Sequence, residues 1–331
     1  MSEALPSSMK YVALSTPGGP ENLALAESAP PVAAPKHVVV KVAYAGVNGP
    51  DIMQRKGLYP PPEGASKVLG LEIAGEVVTV GEDTSRWRVG DTVCALTNGG
   101  GYAEYCSVLG EHCLPIPDAL TPREAASLPE AYFTIWSNIF MTARLAAGET
   151  FLVHGGAGGL GTASIQLGKA FGAKVVATDH PADRVEACKR LGADRTIDYE
   201  TEDFVEVVRN QFGGADVILD IVGGPYVARN IKASRHDARI VQLAFALGSK
   251  VQIDLMPIML KRLHYTGSTL RSRPDAFKSE VARELEARVW PLFAQGKLKP
   301  VVGEVLPLGE AAEAHRLMER AGHWGKIVLQ A

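Results

Sequence analysis

Residues 151–161, FLVHGGAGGLG, constrain this chain more than any other stretch. Phe151, Leu152 and Val153 form a short apolar run of the kind that becomes a buried strand. Gly156, Gly158 and Gly161 then fall into the G-x-G-x-x-G spacing. Beyond them Leu160, Ala163, Leu167 and Ala170 recur at helical intervals, with Gly172 placed for a left-handed C-cap. KVVAT (174–178) reads as a second buried strand. In that order the glycines have separate tasks: Gly156 permits the tight turn, Gly158 lets backbone approach a pyrophosphate, and Gly161 lets helix and strand pack closely. The helix N-terminus supplies unpaired N–H groups and a positive dipole to phosphates. With 34 glycines in the chain the triplet alone is weak. Strand, triplet, helix and second strand in succession point to a dinucleotide held by Gly156, Ala157, Gly158, Gly159, Leu160 and Gly161.

The surrounding pattern predicts an α/β protein. From 151 to about 269 apolar strand-like runs alternate with helical segments: RTIDY (195–199), a helix over 202–212, DVILDIV (216–222), a helix near 225–234, RIVQLAF (239–245) and HYTGSTL (264–270). Such alternation implies a doubly wound, mostly parallel sheet. Residues 9–131 differ. HVVVKVAYAGV, LEIAGEVVTVG, DTVCAL and AEYCSV are short β-branched runs separated by PGGP, YPPPEG and NGGG, which predicts a small all-β barrel or sandwich. Thr121-Pro122-Arg123-Glu124 carries an N-cap, a first-turn proline and a capping-box acid, so a helix starts there and another covers about Ala131–Leu145. A long helix, a strand, a helix over 309–321 and a last strand, KIVLQ, close the chain. The expected division is a β-rich domain from 1–130 and 271–331 around a dinucleotide domain at 131–270.

Composition removes several function classes. A net charge of −3 gives no reason to expect nucleic acid or an anionic membrane as partner. No apolar run approaches ~18 residues, and MSEALPSSMK lacks the apolar core of a signal peptide, so a cytoplasmic enzyme is expected. Cys94, Cys106, Cys113 and Cys188 form no C-x-x-C pair and read as free thiols.

PGGPENL (17–23), GVNGPDIMQRKGLYPPP (46–62), VLGLEIAGEV (68–77), RVGDTV (88–93), LPEAYFTIWSNIF (128–140), VHGGAGGLGTASIQL (153–167), GSTLRSR (267–273) and GKIVL (325–329) together resemble the medium-chain dehydrogenase/reductases, in their zinc-free quinone oxidoreductase branch of the p53-inducible type. The resemblance spans Met9 to Leu329 and implies a GroES-like β domain beside a Rossmann domain. Zinc-dependent relatives carry a Cys-His pair where this chain has Asn48-Gly49, and G-H-E where it has Gly70-Leu71-Glu72. Leucine cannot ligate a metal and Asn is a poor zinc ligand, so no metal is expected. Without a Lewis acid to polarise an alcohol or carbonyl oxygen, the hydride acceptor should already be electron-poor, a quinone or a conjugated enone.

The resemblance places Asn48, Asp51 and Tyr59 in the substrate cleft. Tyr59 is a candidate donor to the acceptor oxygen; Asn48 is a candidate for the nicotinamide ribose or the acceptor carbonyl. The same residues have plainer readings: Asn48 as a turn residue, Asp51 as a helix cap, Tyr59 as pocket wall. Thr134, Phe245, Leu270, Arg271 and Lys326 match cofactor-contacting positions, with plainer readings beside them: Thr134 as a helix-interior residue bonded to its own backbone, the others as core or solvated surface. His154 reads as a structural hydrogen-bonding residue. For the cofactor the signals oppose each other. Family preference favours NADPH, with Arg184 and Tyr199 at the positions that hold a 2′-phosphate. Asp179, at the end of the second strand, is an acid of the kind that binds the ribose 2′-hydroxyl of NADH. An NAD(P)H-dependent quinone reductase is the leading expectation, an alkenal or enone reductase the alternative, and a non-catalytic cofactor-binding protein a third. The family and the apolar stretch VQIDLMPIML (251–260) suggest a homodimer.

Overall fold

A computed structural model describes residues 5–320 and 322–331; the first four residues of the polar N-terminal segment and Ala321, where the last expected helix was to end, lie outside them. The chain divides into two compact units, one running to Phe133 and resuming over Arg271–Ala331, the other Thr134–Leu270.

The first unit begins with a hairpin, β1 (Met9–Leu14) and β2 (Leu23–Ser28). It continues through β3 (His37–Val47), helix α1 (Gly49–Arg55), β4 (Glu72–Val80), β5 (Thr92–Leu96), β6 (Tyr105–Leu109), β7 (Cys113–Pro115) and the short helices α2 (Pro122–Ala125) and α3 (Pro129–Ile135). The Thr121 capping box forms as expected, its hydroxyl accepting from the Glu124 N–H. A single helix over 131–145 does not form. α3 gives way to a π-helical turn, Trp136–Thr142, because the Ser137 hydroxyl and Asn138 amide both donate to the Thr134 carbonyl that an α-helix would use.

The second unit holds β8 (Thr150–His154), α4 (Gly159–Ala170), β9 (Lys174–Asp179), α5 (Ala182–Arg190), β10 (Arg195–Asp198), α6 (Phe204–Phe212), β11 (Ala215–Asp220), α7 (Tyr226–Ala233), β12 (Ser234–Gln242), α8 (Met256–Lys261) and β13 (His264–Gly267). Its six strands are all parallel in the order β10-β9-β8-β11-β12-β13, the doubly wound Rossmann arrangement. Leu152, Val176, Ile218 and Ile240 from the central strands pack with Phe204, Val208, Tyr226 and Ile231 of α6 and α7. Burial on both faces is why these strands read as unbroken apolar runs. The strand ends depart furthest from expectation at β12 and β13. β12 starts at Ser234 and ends at Gln242, where the Leu243 N–H turns to the Asp220 carbonyl. β13 stops at Gly267, since the Ser268 hydroxyl bonds the Asn138 amide oxygen.

The chain returns to the first unit through α9 (Asp275–Arg288), α10 (Trp290–Ala294), β14 (Val302–Pro307), α11 (Ala311–Glu319) and β15 (Lys326–Gln330). β15 inserts between β14 and β3, completing a seven-stranded sheet in the order β14-β15-β3-β4-β5-β7 with β6 on β3. No described helix is long and apolar enough to cross a membrane.

Candidate functional site

In the second unit, β8 ends at His154 and the chain turns through Gly155, whose φ of +72° makes it the left-handed residue of the loop. The tight turn expected of Gly156 therefore belongs one position earlier. Gly156 is constrained by packing instead: a Cβ there would lie 2.7 Å from the Cys188 Sγ. At Gly161 a Cβ would stand 2.1 Å from the Gly155 carbonyl oxygen, so this glycine lets α4 close on the loop. Gly158, the N-cap of α4, faces open space, with only the Gly155 oxygen at 3.5 Å. An open cradle ending in the unpaired first-turn N–H groups of α4 suits a diphosphate. His154 lies beneath, fully buried between the Thr178 hydroxyl (2.9 Å) and the Asn230 amide oxygen (2.8 Å). Burial lowers its pKa, so it is a neutral structural group.

Asp179, at the end of β9, is 4% exposed. Its Oδ2 accepts from the Ala157 N–H at 2.7 Å, tying the strand end to the glycine loop. Oδ1 accepts from the His180 N–H at 2.8 Å and from Arg184 Nε at 2.7 Å, and Arg184 Nη2 reaches Oδ2 at 3.3 Å. Asp179 and Arg184, expected to serve opposing cofactor preferences, thus form one ion pair. Tyr199 stands half-exposed nearby; burial and the Asp179 carboxylate raise its pKa, so the phenol stays protonated.

The first unit gathers a second set of charges. Asn48 precedes α1 and its side-chain amide donates to Glu72 Oε1 at 2.8 Å. Its oxygen accepts from the Lys326 ammonium, which also contacts Glu72 at 2.5 Å. Glu72 is fully buried and Lys326 is 5% exposed. Gly46 makes room for this carboxylate: a Cβ there would fall 2.0 Å from Glu72 Oε1. Asp51 is also fully buried, its oxygens accepting from the N–H groups of Asn48 and Gly70, each at 2.9 Å. Burial pushes its carboxyl up to about 6, against the lowering effect of those N–H groups. The Glu130 N–H donates to Glu72 Oε2 at 2.9 Å, while burial and the Glu72 carboxylate push the Glu130 carboxyl up to about 8.

Arg271 lies close enough to Asp51 and Glu130 for its charge to favour both carboxylates. Arg271 is buried within the first unit, donating to the Asn98 carbonyl and the Gln54 side-chain oxygen, and it lies 5.8 Å from the centre of the partly buried Tyr59 ring. Thr134 is buried in the second unit with its carbonyl holding the π turn; Leu270 is buried there, and Phe245 is 48% exposed beside Gly223. Glu72 and Glu130 went unassigned at the sequence level. The available signal was weak, an acid inside the apolar runs LGLEIAG and LPEAYF.

The donor chemistry around Asn48 does not suit zinc. Position 71 is leucine, Asn48 is an amide, and Glu72 already carries an ammonium; burial and Glu72 also hold the Cys94 thiol above its usual pKa, far from a thiolate. Among the described residues no group of three His, Cys, Asp or Glu is placed to hold a metal.

Residues 34–118 match the family described as alcohol dehydrogenase GroES-like domain, and residues 159–287 the one described as zinc-binding dehydrogenase. The chain is 31% identical to a quinone oxidoreductase of Mus musculus over 94% of its length and 95% of that protein. Among solved structures it resembles an NAD-dependent alcohol dehydrogenase (32% identity, TM-score 0.87, 98% of this chain and 100% of that one). It also resembles the CurK enoyl reductase (26%, 0.86, 98% and 99%) and a mycobacterial protein complexed with NADPH (26%, 0.88, 98% and 100%). A GroES-like unit, a six-stranded Rossmann unit and near full-length similarity to quinone oxidoreductases make this chain a member of the medium-chain dehydrogenase/reductase family, in its quinone oxidoreductase branch.

Proposed function

We propose that this oxidoreductase is an NAD(P)H-dependent quinone reductase that works without zinc. When bound, the reduced nicotinamide supplies a hydride, and that chemistry is the cofactor's own. The observation that carries the reading is the Lys326 ammonium seated on Glu72 and Asn48, where metal-dependent relatives place their ligands. A hard-wired internal cation leaves no free ligand set for a Lewis acid, so the acceptor must itself be electron-poor. In this reading the loop from Gly156 to Gly161 holds the diphosphate and Thr134, Phe245 and Leu270 belong to the nicotinamide end. Asn48, held from both ends, orders its surroundings together with Asp51 and Lys326. Tyr59, with Arg271 beside its ring, donates to the acceptor oxygen. Family likeness favours NADPH, and Asp179 favours NADH.

Similarity to an enoyl reductase supports a second reading, reduction of a conjugated C=C bond, since a β-carbon accepts the same hydride. The acceptor is a small molecule in either case. We also propose a homodimer formed through the second unit, where Leu255, Met256, Met259 and Leu260 are each at least 60% exposed. The deciding assay compares para-benzoquinone and phenanthrenequinone with crotonaldehyde, following NAD(P)H oxidation before and after chelator treatment. Quinone turnover that survives the chelator is expected. A clear preference for the enal transfers the assignment to the second reading, and activity abolished by the chelator refutes zinc independence.

A further inference from the structure

Three carboxyl groups gather near Lys326 in the first unit, and two of them are sealed. Asp51 and Glu72 are fully buried, and each of their oxygens accepts a hydrogen bond. Asp51 takes the Asn48 and Gly70 N–H groups; Glu72 takes the Asn48 amide, the Lys326 ammonium and the Glu130 N–H. Glu130, in the first turn of α3, is different. It is only half-buried, and among the described residues no hydrogen bond or ion pair holds its carboxyl, although its backbone is pinned to Glu72. Burial and the Glu72 carboxylate raise that carboxyl to about 8, so it carries a proton at neutral pH. Lys326 and Arg271 lie close enough to favour the anion left behind when the proton departs. The Arg271 charge also acts on Tyr59, which puts the phenol assigned to the acceptor oxygen in the same neighbourhood. An accessible, unpaired acid with cations ready for its conjugate base suits proton transfer to a substrate.

We propose that Glu130 is the general acid of this enzyme, giving its proton to an oxygen of the reduced quinone while Tyr59 donates a hydrogen bond there. This rests on the quinone-reductase reading and adds to it the source of the proton. The quinone accepts a hydride with its electron pair from reduced nicotinamide, which is thereby oxidised, and becomes a hydroquinone monoanion. The Glu130 O–H bond then breaks, its proton completes the hydroquinone, and the carboxylate recovers a proton from solvent.

The test follows para-benzoquinone reduction over a range of pH. Wild-type kcat/KM should be level at low pH and fall as pH rises through about 8, because the acid acts only while protonated. Glu130→Gln keeps the shape and an N–H donor but has no proton to give. Its kcat should drop about 10²–10⁴-fold and its profile should lose that fall, with NAD(P)H dissociation constants unchanged by fluorescence. Glu130→Asp, an acid on a shorter arm, should restore part of the rate together with the fall. Should the glutamine variant not fold, Glu130→Ala takes its place with the same expectation. Infrared difference spectra of the protein without cofactor should show a neutral-carboxyl band that fades through pH about 8 and is missing from the glutamine variant. A glutamine variant as active as wild type overturns the proposal, as does a fall through the same pH that survives the substitution. A wild type that oxidises NAD(P)H with neither para-benzoquinone nor crotonaldehyde overturns the reductase reading itself, and the role of Glu130 with it.

Discussion

Lys326 and Glu72 are separated by 254 positions in sequence and lie 2.5 Å apart in a nearly dry setting. Removing one partner of such a pair leaves an uncompensated charge, and Lys326→Met should cost ~3–5 kcal/mol. Denaturant unfolding checks this, and a loss below about 1 kcal/mol would show that the pair is not energetically closed. Glu130 predicts a pH dependence. Its carboxyl is raised from the ordinary 4.5 to about 8 by burial and by Glu72. The stabilisation from holding it protonated is complete below about 4.5 and is lost as pH climbs through about 8. Glu130→Gln should therefore gain melting temperature relative to wild type across that interval; parallel profiles would show that Glu130 ionises normally. Asn48, Asp51 and Lys326 were legible one at a time, through resemblance. Their meeting was not, because nothing in a linear sequence links Lys326 to Asn48. Asp51 follows the plainer of its readings in geometry, its carboxylate accepting from the N–H at the start of α1.

At the level of elements the parallel strands were the most legible, since burial on both faces writes itself as Val, Ile and Leu in sequence. Their ends were less so. β12 extends back through the polar Ser234–Asp237, and the π turn after α3 depends on side chains capturing one carbonyl. The Gly155–Gly156 distinction was also hidden, because spacing marks glycines without saying which has positive φ. Within the second unit, β13 is an edge strand joined to β12 alone, and α8 beside it presents Met259 and Leu260 to solvent. An uncovered apolar helix next to an open sheet edge invites a second copy. Met259→Asp should shift the assembly from dimer to monomer in light scattering coupled to gel filtration. A monomeric wild type would remove this surface from consideration.

On the scale of the whole chain, the Rossmann unit is one continuous segment and the GroES-like unit is two segments far apart in sequence. Both fold classes were readable, because each leaves its own periodicity. β15, however, belongs between β3 and β14, so β3 pairs only β4 and β6 until the chain has been made as far as Lys326–Gln330. Synthesis from Leu270 to Lys326 occupies about 3–11 s at typical elongation rates. For that interval the nascent protein can own a finished Rossmann unit while Glu72 stays wet, awaiting a counter-charge from 254 positions downstream.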